Sequence, residues 1–343
     1  MTMKVGILTA GGDCPGLNAA IRGVGKTLLL KYNAKVYGIS SGFLGLIENE
    51  YVELTESSLS NILTIGGTIL GTSREKPFKK SKHFLEEIDK PAVIKENYDN
   101  LGLDCLVCIG GNGTQRTASK LSEYGMNVIG MPKTIDNDVY GTELTFGFHS
   151  AVGIATEAID RLHTTANAHK RVMVIELMGH NAGWLTLYAG VAGGGDVILI
   201  PEIPYDLDVI ANYLRDRTAK KKSSSIIVVA EGIETKKGMT AGHYIATQVG
   251  EMVEEQMRET VLGYIQRGGT PAPFDRILAT RFGAYAAHLI AEGNFGRMVA
   301  IQNDHVTSIP LSETEGKLKL VPRDHALVQR AVDIGTCFGA NLG

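Results

Sequence analysis

No uninterrupted apolar run in the 343 residues approaches the roughly 18 that a membrane-crossing helix requires, so no membrane partner is expected. The start, Met1-Thr2-Met3-Lys4-Val5, lacks the pattern of a secretory leader, and a cytoplasmic location is expected. Excess basic charge is missing too. With 34 Lys and Arg against 37 Asp and Glu, the net charge of -3 removes the global field that draws nucleic acid, so none is expected as a partner. Any anion site must then be local. Cysteine is scarce: Cys14, Cys105, Cys108 and Cys337. Cys105 and Cys108 have a C-x-x-C spacing, but they sit inside the apolar run Leu103 to Ile109 without a second pair or a histidine cluster. Buried free thiols fit better than zinc. Low-complexity segments and short internal repeats are also absent.

Instead, short β-branched runs recur, each closed by glycines and followed by a helix-like stretch: Lys4 to Leu8, Cys105 to Ile109, Val172 to Leu177 and Ser225 to Val229. This alternation predicts parallel strands with crossover helices, and the length calls for two such α/β lobes. Ligand loops in these sheets lie beyond the carboxyl ends of the strands, where Gly11-Gly12-Asp13, Gly110-Gly111-Asn112-Gly113 and Met178-Gly179-His180 fall. Lys220-Lys221-Lys222 reads as a solvated helix end.

Four segments carry chemistry. Thr9 to Asn18 is a glycine-rich turn between a strand and the helical stretch Ala19 to Leu30, suited to an anion at the helix start. By itself it reads first as an ordinary strand-to-helix turn, and no G-K-[ST] makes it a Walker loop. Gly110 to Thr114 repeats the arrangement. Pro132-Lys133-Thr134-Ile135-Asp136-Asn137-Asp138, read as a loop after the strand Val128 to Met131, sets two carboxylates at i and i+2 beside a hydroxyl and an ammonium. Phosphoryl transfer uses such a set: one acid for Mg²⁺, another to orient or deprotonate the attacking hydroxyl, and cations against phosphate charge. An EF-hand would need further ligand positions that are missing. Last, Arg258 to Gly269 holds Arg258, Tyr264 and Arg267, a set able to clamp a phosphate dianion, with Arg171 and Arg74 near other glycine-bearing strand ends.

In sequence, order and spacing from Gly11 to Gly269, these loops resemble the bacterial-type 6-phosphofructokinases (the phosphofructokinase A family), including its mixed-substrate group. The resemblance implies an α/β fold of two Rossmann-like three-layer lobes with a cleft between them. Residues 1–139 plus 266–316 would bind the phosphoryl donor, and 140–265 plus 317–343 the sugar phosphate. It implies a Mg²⁺-dependent enzyme acting on ATP and fructose 6-phosphate, and a homodimer or homotetramer.

Position by position, Asp136 resembles the catalytic base for the sugar's 1-hydroxyl, Thr134 and Asp138 its companions, Lys133 a phosphate contact and Arg171 a transition-state contact. Met178, Gly179, His180, Glu231, Arg258, Tyr264 and Arg267 match sugar-phosphate positions, with Arg171 and Arg258 expected from a neighbouring subunit. Gly11, Gly12, Phe43, Arg74, Gly111, Asn112, Gly113 and Thr114 match donor positions. Several residues depart from the family. Asn112 stands for an aspartate that helps organise Mg²⁺, so a contact through water is one option, and a non-enzymatic sugar-phosphate sensor is a rival reading. Tyr264 replaces a histidine, His180 an arginine and Thr117 a glycine. Gly113 goes with ATP in the family, while Lys133 resembles pyrophosphate users and the mixed group; ATP is the expected donor. At the family's effector site Arg22 and Lys26 remain, but Glu56 and His163 replace arginines, so weak allostery is expected.

Overall fold

The computed structural model describes residues 2–80, 88–222, 224–236 and 238–342. The chain opens with β1 (Lys4–Thr9), α1 (Leu17–Tyr32), β2 (Lys35–Ile39), α2 (Phe43–Glu48) and β3 (Tyr51–Leu54). Next come α3 (Lys90–Leu101), β4 (Cys105–Gly110), α4 (Asn112–Glu123), β5 (Val128–Thr134), β6 (Phe146–Gly147) and α5 (Phe148–His169). β7 (Val172–Leu177), α6 (Trp184–Ala192), β8 (Val197–Leu199), α7 (Leu207–Ala219), β9 (Ser225–Ala230), α8 (Ala241–Gly250) and β10 (Met257–Val261) follow. α9 (Pro273–Ala291), β11 (Arg297–Gln302), β12 (His305–Pro310) and α10 (Ala326–Asp333) complete the order.

Two compact units result. The first holds Met1–Thr134, Asp138–His149 and Arg267–Leu318; the second holds Ile135–Asn137, Ser150–Gln266 and Lys319–Gly343. Asp138 to His149 belong to the first unit because β6 pairs in parallel with the end of β5 and the His149 ring packs on Phe274, 4.1 Å between centroids.

In the first unit the strands run β12-β11-β5-β4-β1-β2-β3, with β6 beside β5. β2, β1, β4, β5 and β11 are mutually parallel, while β3 and β12 pair antiparallel at the two edges. The order reverses between β1 and β4, since β1 leads to β2 on one side and β4 to β5 on the other. Loops leave the carboxyl ends of these two strands in opposite directions, opening a ligand crevice there. Every residue of β4 and β5 is buried, the burial that a sheet covered on both faces requires. Cys105 and Cys108 lie within it as free thiols, and desolvation raises the pKa of each.

The second unit is an all-parallel sheet, β10-β7-β9-β8. Alternate residues of β7 and β9 fall into two separate cores. Val172, Val174, Ile227 and Val229 pack with Ile210 and Leu214 of α7 and Ile245 of α8. Met173, Ile175, Ile226 and Val228 pack with Ala155 and Ile159 of α5 and Ala189 of α6. The strict period of two puts helices on both faces, which makes this lobe three-layered. Lys220, Lys221 and Lys222 are exposed just past α7, as the charge run suggests.

Candidate active site

The helix after the first glycine loop begins two residues earlier than the expected Ala19. α1 starts at Leu17, Gly16 takes the N-cap with φ 106°, and Gly11 and Gly12 still lie well before the helix start. Gly11, at φ +85°, adopts a left-handed conformation that disfavours side chains. It is clamped on both sides: its N–H donates to the Ser73 carbonyl at 2.9 Å, and its carbonyl accepts from Thr72 Oγ1 at 2.7 Å. Arg74 is exposed directly after this clamp. Thr72 and Ser73 were not singled out by sequence; their adjacency to Arg74 was the available signal.

Two cations converge on the same loop. Lys133 Nζ donates to the Gly12 carbonyl, and Arg267 Nη1 donates to the Asp13 carbonyl at 3.1 Å. Arg267, expected with the sugar-phosphate set, therefore stands in the first unit against Gly12 and Asp13. Burial pushes the Cys14 thiol up to about 12, with Lys133 and Arg267 pulling the other way. Both positive charges are thus felt inside the turn.

At the second glycine motif the glycines themselves lie at the helix start. α4 begins at Asn112, its N-cap Gly111 supplies no side-chain cap, and Asn112, Gly113 and Thr114 form the first turn. Uncapped N–H groups and the helix dipole together favour an anion. Thr114 Oγ1 donates to the Ala10 carbonyl at 3.4 Å, tying this turn to the loop after β1 across the crevice. A β-carbon on Gly113 would meet nothing within 4 Å. The Thr117 hydroxyl folds back on the Gly113 carbonyl at 3.0 Å. Asn112 Nδ2 donates to the Asp138 carbonyl at 3.4 Å, and its buried Oδ1 has no hydrogen-bond partner within the chain.

The carboxylate motif is not wholly a loop. β5 continues through Lys133 and Thr134, because the strand is held by β4 as far as Pro132 and then by β6, whose Phe146 pairs with Lys133 and Gly147 with Thr134. Only from Ile135 does the chain turn, with Asn137 at φ 52°. Lys133, Thr134 and Asp138 are buried, while Asp136 is half-buried. Phe43, expected beside the donor's base, is 2% exposed and packs in the core with Leu8 and Ala10, so its ring is a core element.

In the second unit Glu231 follows β9 and reaches the loop after the adjacent β7. Its Oε1 accepts from the His180 N–H at 2.8 Å and from the Gly179 N–H at 3.2 Å. This one carboxylate shapes the Met178-Gly179-His180 turn, in which His180 has φ 53°. Tyr264 is 74% exposed in a short 3-10 turn, Gly263–Arg267, after β10. Arg171 and Arg258 do not join them. Arg171 precedes β7 and Arg258 pairs with Met173, so both lie at the amino end of this sheet. At about 3.3 Å per residue, β7 separates them from Met178 by roughly 20 Å.

Residues 4–290 match the protein family described as Phosphofructokinase. The chain belongs to that family. Among phosphofructokinase relatives, it is 58% identical over 337 residues to the "ATP-dependent 6-phosphofructokinase 3" of Bacteroides thetaiotaomicron, covering 98% of this chain and 100% of that protein. It is 43% identical over 355 residues to the "Pyrophosphate--fructose 6-phosphate 1-phosphotransferase" of Streptomyces coelicolor, covering 98% and 100%. A solved phosphofructokinase from Saccharomyces cerevisiae superposes with a TM-score of 0.81 at 28% identity over 91% of this chain. The chain spans 45% of the length of that yeast polypeptide. Among the described residues, no helix is long and apolar enough to cross a membrane.

Proposed function

We propose that this phosphofructokinase transfers the γ-phosphoryl group of ATP to the 1-hydroxyl of fructose 6-phosphate, giving fructose 1,6-bisphosphate. The observation that carries the reading is the convergence of Lys133 and Arg267 on the Gly12 loop, facing the uncapped start of α4 across the β1/β4 crevice. Polyphosphate needs both cations and oriented N–H groups. Open space at Gly113 favours ATP, because nothing there fills the volume of an α-phosphate. Most phosphoryl-transfer catalysis is positioning plus charge neutralisation, which these groups supply.

In this reading Gly11, Gly12, Arg74, Gly111, Asn112, Gly113 and Thr114 hold the donor. Asp136 accepts the proton of the sugar's 1-hydroxyl, with Thr134 and Asp138 orienting it. Glu231, through the turn it shapes, places Met178, Gly179 and His180 around the sugar, and Tyr264 meets its 6-phosphate. Arg171 and Arg258, at the far end of the sheet from Met178, serve a site on a neighbouring copy, so the working unit is a homo-oligomer in the cytoplasm. Asn112 Oδ1, a buried neutral oxygen without a partner, fits a hard cation or its water. Mg²⁺ would be held by the donor's phosphates with Asn112, directly or through water. When bound, the ion neutralises charge on the donor's phosphate oxygens. Weak response to effectors fits an exposed Glu56 and a His163 whose Nε2 is engaged with the Gly193 carbonyl at 2.6 Å.

Pyrophosphate as donor is the second reading, and buried Lys133 on the Gly12 carbonyl favours it. A coupled assay with fructose 6-phosphate and either ATP or pyrophosphate, titrated with Mg²⁺, separates the possibilities. Faster turnover with ATP is expected. Faster turnover with pyrophosphate would reverse the donor, and sugar-phosphate binding without turnover from either would leave a sensor.

A further inference from the structure

Lys90 opens α3 yet its side chain is only 5% exposed, a rare place for a lysine unless it is paired. Its ammonium reaches Glu75 Oε1 at 2.6 Å, the Lys76 carbonyl at 2.7 Å and the Lys79 carbonyl. An ammonium has three donors, and all three are spent on one five-residue stretch. The Glu75 side chain is itself 4% exposed. At its other end the stretch is tied to the first glycine loop by Gly11 N–H to the Ser73 carbonyl and Thr72 Oγ1 to the Gly11 carbonyl. Beyond Glu75, Phe78 packs edge-on against Tyr124, with Lys120 Nζ over its ring at 5.4 Å.

Arg74 lies between these two anchors and is exposed while its neighbour Glu75 is buried. A well-packed apolar pair would fill the Lys90 and Glu75 positions at no greater cost, because a buried ion pair must repay the desolvation of both charges. What an apolar pair lacks is direction. Three hydrogen bonds from one nitrogen fix the path of the backbone and, through it, the point from which the Arg74 side chain leaves.

We propose that Lys90 is a positioning residue for phosphoryl transfer: its ammonium, clasping Glu75 and the Lys76 and Lys79 carbonyls, holds Arg74 where it meets the donor's phosphates. The proposal rests on the reading of Arg74 as a donor contact. It adds a determinant on α3, outside the glycine loops.

Steady-state kinetics on the full chain test it with Lys90→Met, Lys90→Gln and Glu75→Gln, each alone and combined with Arg74→Ala. Thermal midpoints are recorded in parallel. Each single change at 90 or 75 is expected to raise the KM for MgATP about tenfold and to leave the KM for fructose 6-phosphate within about twofold. In the Arg74→Ala background the same changes should raise the MgATP KM by less than about twofold, because the guanidinium they position is gone. Lys90→Gln and Glu75→Gln, which keep polar groups at the site, carry the test if Lys90→Met does not fold. Lowered thermal midpoints with an unchanged MgATP KM, or full additivity with Arg74→Ala, would overturn the proposal alone. An Arg74→Ala enzyme with wild-type MgATP KM would overturn the assignment of Arg74 and the proposal with it.

Discussion

Arg267 occupies the space that a side chain on Gly12 would need: a β-carbon built on Gly12 stands 2.5 Å from Arg267 Nη1. The same Nη1 donates to the Asp13 carbonyl, and Lys133 Nζ takes the Gly12 carbonyl. Absence of one side chain lets two cations share a single turn of backbone.

Gly12→Ala is therefore expected to displace the guanidinium rather than unfold the loop, since the clashing atom is the end of a flexible side chain. A loss of about 10- to 100-fold in kcat/KM is expected, typical of misplacing a phosphate-contacting group. Combining it with Arg267→Ala should cost little more than either alone. Additive losses in that cycle would show that Gly12 does not act through Arg267.

Asp136→Ser should lower kcat by about 10²–10⁴-fold, the usual contribution of a positioned general base, with fructose 6-phosphate binding nearly intact. Equilibrium binding of the sugar phosphate, measured beside kcat, separates the two effects. A near-wild-type kcat in this variant would remove Asp136 from the chemistry.

Parallel strands and their glycine loops were legible in the sequence because β-branched runs closed by glycine have one strong structural meaning. The fully buried run Leu106 to Ile109 follows from that pattern. What could not be read were relations made by pairing partners distant in sequence. β5 extends through Thr134 only because Phe146 and Gly147 come alongside it, and nothing in Pro132-Lys133-Thr134 announces that. Likewise, motif order groups Arg267 with Tyr264, three residues earlier, yet the end of the 3-10 turn delivers it to Gly12. Phe43 was placed by resemblance to a residue type, whereas its burial is set by β1 and α3 residues packed around it. Arg171 was read as lying near a glycine-bearing strand end, but it stands just before β7, because its first glycine, Gly179, comes eight residues later in the chain.

The contribution of two histidines to stability should rise with pH between about 5 and 7. His149 is held below its ordinary value of 6.5, first by burial, with Asp275 opposing. His325 shifts the same way, also by burial. A histidine depressed in the fold leaves the unfolded chain binding more protons as pH drops below 6.5, so its contribution is present above that value and lost beneath it. His149→Gln should flatten the slope of thermal midpoint against pH in this window. An unaltered slope would assign it to other groups.

Asn112→Asp should tighten the apparent Mg²⁺ constant, because an anionic oxygen would replace a neutral one at a buried, unpartnered position. The gain is expected to be about tenfold, the size of one added charge–charge contact at moderate effective dielectric. Titrating activity with Mg²⁺ at fixed free ATP in both proteins measures it. Identical constants would mean that residue 112 does not face the metal, even through water.

Gly113→Asp tests the donor. Gly113 is the second residue of α4, at the helix end where anions are favoured, and a β-carbon there has nothing within 4 Å, so the new side chain has room without moving the fold. An aspartate at this helix start would, if anything, support the helix. Any loss of activity then comes from the ligand rather than from a damaged loop. For ATP the new carboxylate would stand in the space assigned to the α-phosphate, adding both a steric conflict and like-charge repulsion. Pyrophosphate has no third phosphate to displace, and Lys133 remains to hold it. The expected result is a fall of at least about 100-fold in kcat/KM for ATP, with that for pyrophosphate held or raised. Equal losses with both donors, at unchanged thermal midpoint, would show that the open space beside Gly113 is not where the α-phosphate lies, and the structural argument for ATP would fall with it.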